Sequence, residues 1–404
     1  MANLDNLVQN KQLVNPTEKI YFAGLVLYVL LYLQYETQWD YGETVSWIIK
    51  SLALALLIVQ TALTFPKYTS AKLKLLFLLS LILTCVVGTN AGFVKGLNRL
   101  YESLIAFLLV FGAKDIDFRK ILKVFLLVGG TYSLVTVISS LIGVIPNLED
   151  ESTRPEDAVA VVDVFSRQSL GYGWSTNMAN HVFFVLLTFF CWVNRCLKKK
   201  EMLLYFAIAI GVLSYTGSRL STISIILILV LTLLLKSKWG ERFLTSKFAC
   251  FFIIVSVPFF LWLSYYATEN YDDADFNWMV ADAILSGRLR LGNDAFEIAG
   301  IPMFGQFYEM FGSARDDGAA YNYLDNSYVQ SLVIYGLVYT VVLVVAYAYV
   351  CRSAYHRKDY LLLYSVFFAG MSGLIAQHFI EMYMNPFLIA LFASHQEASL
   401  NKVS

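Results

Sequence analysis

Residues 218–235 read SRLSTISIILILVLTLLL. No charge follows Arg219 in this stretch, and a helix built from it is apolar around its whole circumference. At 1.5 Å rise per residue, its length approaches the roughly 30 Å of a bilayer's hydrocarbon core. The stretch therefore reads as a membrane span, and comparable apolar runs recur along the chain. We read about twelve: 19–35, 45–65, 73–89, 97–113, 121–145, 176–195, 201–216, 218–235, 248–267, 327–350, 359–379 and 382–395. The expected fold is an all-α, polytopic integral membrane protein, with 1–404 as a single transmembrane domain. The seventh and twelfth spans are short, and the twelfth contains Pro386, which suits a bent or re-entrant segment.

Composition agrees. The chain is 58% hydrophobic and 15% charged, more apolar surface than one soluble core can hide. Net charge is zero, which gives no reason to expect a nucleic-acid partner. The first apolar run, Ile20 to Gln34, lacks a small-residue cleavage site and is expected to remain as a signal anchor. Cys85, Cys191, Cys196, Cys250 and Cys351 fall in spans or at their ends, so neither a disulfide framework nor metal-ligand spacing is expected.

Orientation follows from the basic loops 66–72, 114–120, 195–200, 236–247 and 351–358. Assigning these and both termini to the cytoplasm puts most lysines and arginines inside and most acids outside, an N-in, C-in arrangement. Three segments then face outward: 146–175, which carries Glu149, Asp150, Glu151, Arg154 and Arg167; the tight turn 214–219; and the long loop 268–326 between the ninth and tenth spans. A loop of that length is usually functional or disordered. It carries Trp278, Phe296, Phe304, Phe307 and Phe311, enough to pack as a cap over a site, and Trp278–Ala299 has a helix-compatible pattern.

The outer arginines are the main chemical signal. Arg219 opens the eighth span after Gly217, where a helix N-terminus adds partial positive charge. A guanidinium grips phosphate by paired hydrogen bonds, so this is a diphosphate seat; the alternative is an interfacial arginine snorkelling to water. Arg288 and Arg290 are two apart, so on a helix one faces a cavity while the other pairs with Asp282 or Asp294. Arg167 precedes a polar face of Asn177, Asn180 and His181, which suits sugar hydroxyls or, alternatively, interhelical hydrogen bonds. Asp325 and Asn326 close the long loop; Asp325 is a helix cap or a general base. His378 and Glu381, with Asn385 beyond, lie at the outer end of the eleventh span. Arg99 and Glu102 read as a structural ion pair, and Lys50 as a snorkelling lysine. Asp272, Asp273 and Asp275 read as a solvated loop or, alternatively, as ligands of a divalent cation.

Four pieces in order resemble the bacterial O-antigen polymerase and ligase superfamily, specifically Wzy-type polymerases of capsule and exopolysaccharide systems. They are Thr216-Gly217-Ser218-Arg219, Ser286-Gly287-Arg288, Pro302-Met303-Phe304-Gly305, and Asp325-Asn326-Ser327-Tyr328 ahead of Gly336, within about residues 165–345. The resemblance implies a metal-independent, inverting glycosyltransferase of the bacterial cytoplasmic membrane, active at its outer face and needing no cofactor. Its substrates would be undecaprenyl-diphosphate-linked oligosaccharides, and its partners a flippase and a chain-length regulator. Related ligases commonly place a histidine where this chain has Asp325, a departure that favours a polymerase. On this expectation Arg219, Arg288 and Asp325 are catalytic. Arg167, Arg290, Asn177, Asn180, His181, Asn326, His378 and Glu381 bind substrate. A ligase with another acceptor, or a lipid-oligosaccharide flippase, are the rival readings.

Overall fold

The computed structural model describes residues 16–92, 98–150, 167–312 and 322–395. The readings at 151–166, Glu151 and Arg154 among them, lie outside these residues, as does part of the long loop, 313–321. The apolar runs fold as helices: α1 Pro16–Tyr35, α2 Glu43–Thr64, α3 Ala71–Gly92, α4 Asn98–Gly112, α5 Phe118–Leu141, α6 Ser175–Val193, α7 Lys199–Thr216 and α8 Arg219–Lys236. After a short α9, Lys238–Leu244, comes α10, Lys247–Glu269. The long loop contains α11, Phe276–Ile284, and α12, Arg288–Ala299. Then α13, Ser327–Gln330, runs through a π-type turn at Ser331–Tyr335 into α14, Gly336–His356, and α15 is Tyr360–Ser372. Among the described residues, eight helical stretches are long and apolar enough to cross a membrane. The only strands among the described residues are a two-residue ribbon, Glu149–Asp150 against Arg167–Gln168.

Burial is inverted relative to a water-soluble protein. Ile82, Leu203, Phe248 and Val345 are exposed on helix flanks, whereas Gln60, Thr136 and Thr232 are fully buried. Apolar exposure on that scale marks a surface made for lipid. Inside, α1 packs on α2 and α5, α2 on α4, α6 on α5 and α8, and α10, α14 and α15 on one another.

Two ends can be told apart. At the basic end, Arg119 of α5 pairs with Asp359 at 2.8 Å and also bonds Asn194, while Arg195 grips both oxygens of Glu201. The opposite end carries the ribbon, the α7–α8 turn and the long loop.

The structure corrects the reading of two segments. Residues 382–395 form no transmembrane helix: after α15 stops at Ser372, the chain makes only 3-10 turns at Gln377–Phe379 and Pro386–Leu391. Pro386 lacks the donor a helix needs, and Asn385 caps the second turn by accepting from the Phe387 N–H. Side chains satisfy the freed carbonyls of this buried run. Asn326 donates to Leu374, Ser327 to Ala376, and Asn385 to Phe379. Irregular backbone survives between apolar helices only when so satisfied. The second correction concerns Trp278–Ala299, which is two helices rather than one. Ser286 and Gly287 both take positive φ, 57° and 79°, and the Asp282 carboxylate caps the new start by accepting from the Leu289 and Arg290 N–H groups.

Candidate functional site

The irregular run after α15 presents His378 and Glu381 to the interior. His378 Nδ1 lies 2.5 Å from Glu381 Oε2, and the histidine is 1% exposed. The Tyr383 hydroxyl bridges Glu381 and Glu36, the residue just past α1, lying 2.7 Å from an oxygen of each with one proton to share. Asn177, in the first turn of α6, donates to the other Glu36 oxygen at 2.5 Å. Burial, reinforced by the charge of Glu381, raises the Glu36 carboxyl to about 7.

Among the described residues, Glu36, His378 and Glu381 are the group whose donor atoms lie close enough for one cation, all within 4.8 Å. Two carboxylates and an imidazole are a fit donor set for a divalent metal. The same residues also satisfy one another, through the His378–Glu381 bond and the bridging tyrosine hydroxyl.

Arg288 reaches this centre from the long loop. It pairs with Asp325 at 2.9 Å and donates Nε to the Ile375 carbonyl, two residues before Gln377. Asp325 is thus held by a guanidinium and is not the helix cap; Asn326 is, accepting from the Tyr328 and Val329 N–H groups. Asp325, Glu36 and Glu381 all interact electrostatically with His378. Tyr323 sits among the same three carboxylates.

The other expected site residues are distributed as follows. Arg290 points away from Arg288 and lies 3.8 Å from Asp294 on the exposed face of α12. Arg219 is exposed at the start of α8 and makes no ion pair with a described residue. Arg167 lies beside it, with Nε where a Cβ on Gly217 would be 3.0 Å away; Gly217, at φ 63°, makes both the turn and that approach. No described hydrogen bond links Arg219 to Arg288. Asn180 accepts from Ser221 of α8, and His181 Nδ1 bonds Tyr172, so both join buried polypeptide segments. Of that polar face, Asn177 alone touches Glu36, among the contacts described.

The turn at Pro302–Gly305 docks on Gly336. The Leu337 N–H donates to Pro302 and the Val338 N–H to Met303, and a Cβ on Gly336 would lie 2.5 Å from the Gly305 nitrogen. This contact ties the end of the long loop to the π-turn.

Lys50 and Arg99 depart from their reading. Lys50 does not snorkel: it is 4% exposed and donates to Asn98 at 2.8 Å. Arg99 and Glu102 form no contact ion pair; Arg99 instead donates to the Tyr335 hydroxyl at 3.2 Å. Glu36 was missed altogether. As a lone glutamate after an apolar run it looks like an ordinary helix-end residue, and no local spacing announces a partner more than three hundred positions away.

Comparison with protein-family models, curated proteins and solved structures finds no match to this chain.

Proposed function

We propose that this protein transfers a growing glycan from a polyprenyl-diphosphate carrier to a second lipid-linked repeat unit, at the outer face of the bacterial cytoplasmic membrane. The observation that carries the reading is the buried His378–Glu381 dyad, with an arginine of the outer loop anchored to the same irregular run.

In this mechanism Glu381 fixes His378 through Nδ1, leaving Nε2 to accept a proton from the acceptor hydroxyl. That oxygen attacks the anomeric carbon from the face opposite the leaving group. The bond from carbon to diphosphate oxygen breaks, the electron pair leaves with the diphosphate, and the configuration inverts. Arg288 stabilises the negative charge that develops. Asp325 orients Arg288 through their ion pair. Arg219, exposed at a helix N-terminus with Arg167 beside it, docks the phosphate head of the incoming carrier. Asn177 and Asn326 hold Glu36 and the irregular run in register.

The test uses purified protein in nanodiscs with lipid-linked repeat units and no ion gradient. Elongation is expected, and it excludes the flippase reading. His378→Gln should lower the rate about 10²–10⁴-fold, with normal folding judged by thermal unfolding. Full activity of that variant removes the dyad from the chemistry. Chelation with EDTA should leave the rate unchanged; loss restored by one added divalent ion would recast Glu36, His378 and Glu381 as a metal centre.

A further inference from the structure

The first half of the chain also places a set of polar groups with unused hydrogen-bonding capacity beside the dyad. Tyr32 of α1 is 6% exposed, and its hydroxyl has no hydrogen-bond partner among the described residues. A buried hydroxyl left in that state is unfavourable unless something completes it. Glu102 of α4 makes no hydrogen bond or contact ion pair with a described residue, yet interacts electrostatically with Arg99, Glu381 and Lys50. Glu102 is also the foremost charged neighbour of Tyr32. Lys50, buried on α2, faces the rings of Trp47 at 5.1 Å and Tyr32 at 5.9 Å and contacts no carboxylate. The set is continuous with the dyad, because Tyr32 stacks on Tyr383 at 5.5 Å between centroids and 19° between planes.

A hydroxyl without a partner and a carboxylate without a contact ion pair among the described residues, with a cation and aromatic rings, together match a pyranose, which has hydroxyls that donate and accept and C–H faces that pack on rings. We infer that Tyr32, Lys50 and Glu102 form a subsite for one hexopyranose residue of the acceptor glycan, one aromatic step from the His378–Glu381 dyad. Glu102 accepts from sugar hydroxyls, Lys50 donates to a ring substituent, and Tyr32 completes its hydrogen bonding on the sugar. This assignment rests on the transfer reading for the word acceptor, but not for the binding itself.

The experiment therefore reads binding separately from elongation. Saturation-transfer NMR on the full-length protein in nanodiscs uses a panel of methyl hexopyranosides, neutral and uronic, as probes. At least one should bind. Tyr32→Phe and Glu102→Gln, which change single polar atoms, should each weaken it fivefold or more. Lys50→Met should do the same, whereas Arg242→Gln, exposed on α9, should not. If no hexoside binds, or if the three variants bind as wild type does, the subsite is wrong, whatever the elongation assay shows. If the pattern holds while wild type fails to elongate lipid-linked units, the subsite stands and the transfer reading falls. All variants are first matched to wild type by thermal unfolding.

Discussion

The two ends of the helix bundle use the same residue types in opposite ways. At the basic end, Arg119 meets Asp359, Asn194 and the Cys191 carbonyl, and Arg195 meets both oxygens of Glu201. These two guanidiniums each have several protein partners, so their contacts join helices and leave little for a ligand. At the other end Arg219 is exposed at a helix start, Tyr32 keeps an unpartnered hydroxyl, and Glu102 stands without a contact partner among the described residues. Unsatisfied polar groups are tolerated where a ligand completes them, and this contrast between Arg119 and Arg195 on one side and Tyr32 and Glu102 on the other is why the proposed site is placed at the second end.

Substitutions at four positions sharpen or break that contrast. The largest effect is expected at Arg119. Replacing it with Met leaves Asp359, whose side chain is 4% exposed, without its cation. Breaking a pair of this kind costs about 3–5 kcal/mol, read as a lower midpoint of thermal unfolding, while the rate per folded molecule stays unchanged. If Arg119→Met instead abolishes transfer at normal stability, the basic end is not merely structural.

Next is Arg288. Arg288→Ala should lower stability by about 1–3 kcal/mol through the lost Ile375 and Asp325 contacts, and reduce elongation per folded molecule about 10²–10³-fold. Lysine should recover little of it, because an ammonium cannot make the two-pronged phosphate contact. Arg219→Ala should act chiefly on KM, as befits a docking residue outside the dyad. An unchanged length distribution of polymer in both variants would remove the diphosphate from this end.

The smallest effect is expected from Glu36 and is read against pH. Its carboxyl is raised to about 7 in the folded protein, so the fold holds that proton more tightly than the unfolded chain does. The resulting stability is complete below the ordinary carboxylate range and is lost as pH rises toward 7. Between about pH 5 and 7.5 wild type should lose on the order of 1–3 kcal/mol that Glu36→Gln does not lose. Parallel pH profiles for the two proteins would mean that Glu36 carries its charge throughout.

Helices were legible in the sequence because apolar runs satisfy their own backbone bonds locally, whatever surrounds them; hence the agreement over α1–α8, α10 and α14. Where the chain departs from a helix, as at 373–391, the outcome depends on side chains such as Asn326 and Ser327 that reach in from elsewhere. Arg288 and His378 could be nominated from residue type and position alone. That Asn180 and His181 bond between buried segments, that Lys50 turns inward, and that Glu36 joins His378 and Glu381 could not.

The amino-acid sequence by itself determined that this chain forms apolar helices and which arginines lie near their ends, since helix formation and hydrophobicity are properties of neighbouring residues. Tertiary structure alone decided which polar groups meet. Glu36, Asn177 and Tyr383 converge only after helices from distant parts of the chain pack. Nothing in the spacing of residues encodes a distance between side chains that only packed helices create.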